Sequence, residues 1–94
     1  MIYYVDVDDT LVCTSGGKTF PIPATVAWIK ALNYKEHQVF LWSRGGAEYA
    51  KNTAVRLGID QLMSGFLPKP DIMVDDQNIS EWTHMKTLHP NELR

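Results

Sequence analysis

The residues best placed to do chemistry are Asp6 and Asp8, in the run Asp6-Val7-Asp8-Asp9-Thr10 that directly follows the apolar stretch Ile2-Tyr3-Tyr4-Val5. An extended chain repeats every two residues, so both carboxylates fall on one face. Like charges about 4 Å apart repel by ~1 kcal/mol in water and ~4 kcal/mol at an effective dielectric of 20. A pair set where a hydrophobic strand ends therefore calls for a positive partner. Clustered oxygen ligands of this kind suit a hard cation.

Two further apolar runs stop at polar residues in the same way. Val39-Phe40-Leu41-Trp42 leads into Ser43 and then Arg44-Gly45-Gly46, and Ile72-Met73-Val74 leads into Asp75-Asp76. These runs read as buried strands separated by helices, which is how a parallel sheet is connected. Pro23 suits the first turn of a helix through Val26, Ile29 and Leu32 that ends near Asn33. Ala47, Ala50, Ala54 and Leu57 recur at helical spacing, with Gly58 where a left-handed terminus belongs. A weaker strand is expected at Gln61 to Phe66, before Pro68 and Pro70. The fold class that follows is α/β, a minimal Rossmann-like three-layer fold with a parallel sheet of about four strands.

In an open parallel sheet the carboxyl ends of all strands lie on one edge, and ligands bind there. Asp6, Asp8, Ser43, Asp75 and Asp76 are accordingly expected to converge. Four carboxylates and a hydroxyl without His or Cys point to Mg²⁺, which usually shares its site with phosphate groups. His37, His84 and His89 lack metal-site spacing, and Trp28, Trp42 and Trp82 fall on different elements and read as core or boundary residues.

The 94 residues, 45% hydrophobic with a formal net charge of −2, read as a single domain over 1–94. Neither disorder nor general attraction to nucleic acid is indicated, and no apolar run has membrane-spanning length. Cys13 is the lone cysteine, and the first residues lack the pattern of a signal peptide, so a cytoplasmic protein is expected.

These residues, in this order, resemble the motifs of the haloacid dehalogenase-like (HAD) phosphohydrolases. Residues Ile2 to Val12 are similar to the first motif, a strand followed by Asp-x-Asp-x-Thr-Leu. Val39 to Ser43 resembles the second, Lys69-Pro70 the third, and Asp71 to Asp76 the acidic fourth. The resemblance implies that Asp6 is the nucleophile forming an aspartyl-phosphate and that Asp8 is the general acid and base. It implies that Ser43 and Lys69 contact the phosphoryl group, with Lys51 as the fallback lysine. Thr10 orders the loop and joins the substrate-binding set, as do Arg44 and Gly45 beside the second helix. Mg²⁺ would be held by the Asp6 carboxylate, the Asp8 carbonyl and Asp75, with Asp76 as a further or water-mediated ligand. Asp9 reads as turn chemistry.

Family members choose substrates largely with inserted cap domains, and neither insertion point has room for one here. Gly16-Gly17 suggests only a short β-hairpin flap. An uncapped site is expected to be covered by a large substrate or by a neighbouring subunit of a homo-oligomer. After the fourth motif, Ser80 suggests a helix cap before an apolar stripe of Trp82, Met85 and Leu88. The expected activity is that of a Mg²⁺-dependent phosphomonoester phosphatase acting on a phosphorylated small molecule or macromolecule. The alternative is a non-catalytic phosphate-binding or phosphoacceptor module of the receiver type. Receivers, however, place their Lys-Pro after all the acids, whereas here Asp75 and Asp76 follow Lys69.

Overall fold

A computed structural model describes residues 1–93. Five strands and two helices follow in the order β1 (Ile2–Asp6), β2 (Val12–Ser15), β3 (Lys18–Pro21), α1 (Pro23–Tyr34), β4 (Gln38–Ser43), α2 (Ala47–Leu57) and β5 (Gly65–Pro68). The chain is an α/β protein with a three-stranded parallel sheet, order β1-β4-β5, and a separate antiparallel hairpin of β2 and β3.

Local chemistry accounts for each boundary. Gly16 and Gly17 have φ of 58° and 76°, the two positive values required by a two-residue hairpin turn that matches strand twist, and Ser15 accordingly pairs with Lys18. Pro23 opens α1, where its missing N–H costs nothing. Gly58 closes α2 in the left-handed region at φ 71°. The N–H groups of Gly58 and Ile59 return to the carbonyls of Val55 and Ala54, both at 3.0 Å, and Ile59 is buried beneath that turn.

Alternation along the strands decides which face is covered. Val5, Val39 and Leu41 pack with Ile29 and Leu32 of α1 and Ala50 and Ala54 of α2 to form the core. Tyr3 joins that side, its ring edge-on to Trp28 at 5.3 Å. The alternate residues Ile2, Tyr4, Phe40 and Trp42 lie on the opposite face, where Tyr4 stacks edge-on against Trp42 at 5.0 Å and remains 51% exposed. Phe40 lies across Gly65, its partner on β5, so closely that an added Cβ would meet the ring at 3.0 Å. The sheet therefore has helices on one face, giving two layers and not the expected three.

The largest departure from expectation follows β5. Ile72-Met73-Val74 forms no strand, and Ile72 and Val74 are 84% and 94% exposed. A parallel strand has to be reached by a crossover of a dozen or more residues, and only Lys69, Pro70 and Asp71 separate β5 from Ile72. The weak strand expected at Gln61 to Phe66 is instead β5, shifted to Gly65–Pro68 behind a 3₁₀ turn at Asp60–Leu62, and it is the third strand of the sheet. No fourth parallel strand occurs among the described residues. The expected C-terminal helix is likewise replaced by single 3₁₀ turns at Ile79–Glu81 and Pro90–Glu92. Asn78, not Ser80, caps the first of these, and Met85 and Leu88 stay exposed.

Among the described residues, no helix is long and apolar enough to cross a membrane.

Candidate active site

The loop after β1 is built around buried residues between and after its acids. Val7, Leu11 and Val12 are all essentially inaccessible, and the Val7 carbonyl accepts hydrogen bonds from the N–H groups of Thr10, Leu11 and Val12 at 3.3, 2.9 and 3.0 Å. Burying Val7 turns its neighbours Asp6 and Asp8 outward. Asp9 takes φ +60°, a left-handed conformation that aspartate tolerates better than most residues, and its N–H closes the turn onto the Val12 carbonyl at 2.7 Å. The turn role expected for Asp9 is the one it has. The Thr25 hydroxyl of α1 donates to the Thr10 carbonyl at 2.6 Å and ties the loop to the first helix.

Asp6 finds its positive partner in Lys69. The ammonium lies 3.1 Å from Asp6 Oδ1, with the two side chains 29% and 32% exposed. Three contacts fix Lys69. Its N–H donates to the Ser43 carbonyl at 2.9 Å, continuing the β4–β5 ladder, its ammonium pairs with Asp6, and that ammonium sits 5.6 Å from the centre of the Trp42 ring. Register makes this possible, since Trp42 is the β4 partner of Asp6. Lys51 is exposed on α2, and among the described residues it is Lys69 that pairs with Asp6. Thr10 Oγ1 makes a long contact of 3.4 Å to Asp6 Oδ2, leaving that oxygen the less committed of the two.

Asp8 is held by a residue that sequence reasoning passed over. The Tyr49 hydroxyl donates to Asp8 Oδ1 at 2.7 Å, within the range of a charge-assisted hydrogen bond. Tyr49 stands in the first turn of α2, and its ring lies against Gly45. That hydrogen bond, then burial, then the nearby Asp8 charge raise the Tyr49 pKa above its ordinary value of 10.0, because each disfavours the phenolate. The sequence offered only a weak signal for this contact: a tyrosine one turn into the helix that starts beside the strand end.

Ser43 is at the predicted strand end but is turned inward. It is 2% exposed, its Oγ accepts the Gly45 N–H at 3.0 Å, and its carbonyl receives both the Gly46 and Lys69 N–H groups at 3.1 and 2.9 Å. The residue thus shapes the Arg44-Gly45-Gly46 turn and seats Lys69. Arg44 is exposed on that turn.

Asp75 and Asp76 do not join the group. Both are exposed in the irregular segment after β5, and Asp75 Oδ1 accepts the Gln77 N–H at 2.9 Å in a local turn. Without a fourth parallel strand nothing returns them to the edge where Asp6 and Asp8 stand. Among the described residues no group of three or more His, Cys, Asp or Glu side chains is placed to hold a metal ion. The donors that fit Mg²⁺ are therefore fewer than expected. Of the expected carboxylates only Asp6 and Asp8 stand at this strand end, and Mg²⁺ commonly binds through one or two carboxylates plus waters and substrate phosphate.

The assembled group comprises one carboxylate, Asp6, with a lysine on one oxygen, and a second, Asp8, that accepts a hydrogen bond from a phenol. Both stand on the open edge of the sheet. No protein-family model, curated protein or solved structure matches the chain.

Proposed function

We propose that the protein is a Mg²⁺-dependent phosphomonoester phosphatase of the HAD-like type, and that Asp6 is its nucleophile. The observation that carries this reading is the Asp6–Lys69 pair beside Asp8. It combines a carboxylate, a compact cation able to neutralise phosphoryl oxygens, and a second carboxylate two residues away. Asp6 attacks phosphorus through an oxygen, and the bond from phosphorus to the leaving oxygen breaks. Asp8 donates its proton to that leaving oxygen. In the second half Asp8 takes a proton from water as the water oxygen attacks phosphorus, releasing inorganic phosphate and restoring the Asp6 carboxylate.

Lys69 balances charge on Asp6 and on the transferring group, and the Ser43 carbonyl holds the lysine's backbone in register. Mg²⁺, bound through the Asp6 carboxylate and the Asp8 carbonyl, would supply charge neutralisation at the phosphoryl oxygens. Asp8, Arg44 and Tyr49 are all exposed, which suits a substrate large enough to exclude water itself, or closure by a second subunit.

The test is hydrolysis of 4-nitrophenyl phosphate with and without Mg²⁺ by the wild type, Asp6→Asn, Asp8→Asn and Lys69→Met. Mg²⁺-dependent turnover that Asp6→Asn abolishes is expected, with a large loss in Lys69→Met. Activity that survives Asp6→Asn would overturn the mechanism. A lasting phosphoryl adduct on Asp6 without turnover would favour the phosphoacceptor alternative.

A further inference from the structure

We infer that Tyr49 is a positioning residue that presents Asp8 for proton transfer to the leaving group, a role that rests on the phosphatase reading above. Asp8 is exposed and stands two residues beyond the end of β1, where an isolated bridge to Val12 fixes its backbone but leaves its side chain free to rotate. An exposed carboxylate samples several rotamers, and proton transfer requires one of them. The Tyr49 hydroxyl, 2.7 Å from Asp8 Oδ1, selects that geometry. Because the phenol donates to Oδ1, the proton that Asp8 passes to a leaving oxygen is carried on Oδ2.

Tyr49 is itself held in place. Its ring fills the space above Gly45, where a Cβ would meet Tyr49 Cδ2 at 2.9 Å and Cγ at 3.2 Å. Its carbonyl accepts the hydroxyl of buried Thr53 at 2.9 Å, anchoring that turn of α2 to the core. The glycine at position 45 makes room for the ring, and the ring carries the hydroxyl to Asp8. Lys69 serves Asp6 on the other side, so each carboxylate has one fixed partner.

Tyr49→Phe removes the hydroxyl and keeps the ring, so the packing on Gly45 is retained. A proton donor matters most when the leaving oxygen is strongly basic. The experiment therefore compares kcat/KM for an alkyl phosphate with kcat/KM for 4-nitrophenyl phosphate, in the wild type, Tyr49→Phe, Asp8→Asn and the double variant. Loss of an oriented proton donor is expected to lower kcat/KM about tenfold or more for the alkyl ester and far less for the nitrophenyl ester. In the Asp8→Asn background the Tyr49→Phe change is expected to have no further effect. An equal loss on both esters, no loss on either, or an undiminished loss in the Asp8→Asn background overturns the role while leaving the phosphatase reading intact. A wild type that hydrolyses neither ester overturns the reading, and the role falls with it.

Discussion

The contact between Gly45 and Tyr49 yields a prediction that depends on packing alone. A methyl group at position 45 would lie 2.9 Å from Tyr49 Cδ2, 3.2 Å from Cγ and 3.3 Å from Ser43 Oγ. Two of these atoms belong to the root of the ring, so Gly45→Ala forces the whole side chain to shift and breaks its hydrogen bond to Asp8. Overpacking of this kind costs about 1–3 kcal/mol. In a domain of this size each kcal/mol lowers Tm by about 4–8 °C. Backbone strain plays no part, because Gly45 lies outside the left-handed region that its neighbour Gly46 occupies at φ 105°.

Removing the ring should therefore remove the penalty. In a Tyr49→Ala background, Gly45→Ala is expected to be neutral or to stabilise by about 0.4–1 kcal/mol, since alanine restricts the unfolded chain. Urea denaturation of the four proteins in the cycle measures the coupling, expected at about 1–3 kcal/mol. If Gly45→Ala matches the wild type, or costs the same with and without the ring, the packing argument is refuted.

Two further outcomes are expected. The Tyr49 pKa is raised in the folded state, so the stability its hydroxyl contributes is complete below the unfolded value of 10.0 and is lost as pH rises through the folded value. The stability gap between the wild type and Tyr49→Phe should be constant from pH 7 to 9 and narrow above pH 10. A gap that widens there would contradict the hydrogen bond's direction. Separately, Ile72→Ser and Val74→Ser should each change stability by less than about 0.5 kcal/mol, because both side chains are exposed. A loss of about 2 kcal/mol or more in denaturant unfolding would show that the segment is buried as a strand after all.

The chain carries its local instructions openly. Gly16-Gly17 specifies the hairpin through positive φ, Pro23 starts α1, Gly58 ends α2, and the runs ending at Asp6 and Ser43 are parallel neighbours, the edge strand β1 and the central strand β4. These features depend on φ preferences and on short-range periodicity, which the residues themselves impose. Likewise Asp6 and Asp8 are turned outward because Val7 between them is apolar.

Only the tertiary structure decided how the acids are partnered. Strand register set Trp42 beside Asp6 and let the exit of β5 carry Lys69 to 3.1 Å from its carboxylate. The packing of α2 brought Tyr49 to Asp8. Ile72-Met73-Val74 shows the limit of reading in the other direction. Its composition suits a buried strand, but composition does not encode the crossover needed to return the chain to the far end of a parallel sheet. Three residues after β5 do not provide one, so Asp75 and Asp76 stay away from the edge. The need for a counter-charge at Asp6 follows from electrostatics and is legible in one dimension. The identity of the group that meets it is a matter of which distant residues the fold brings into ion-pairing reach.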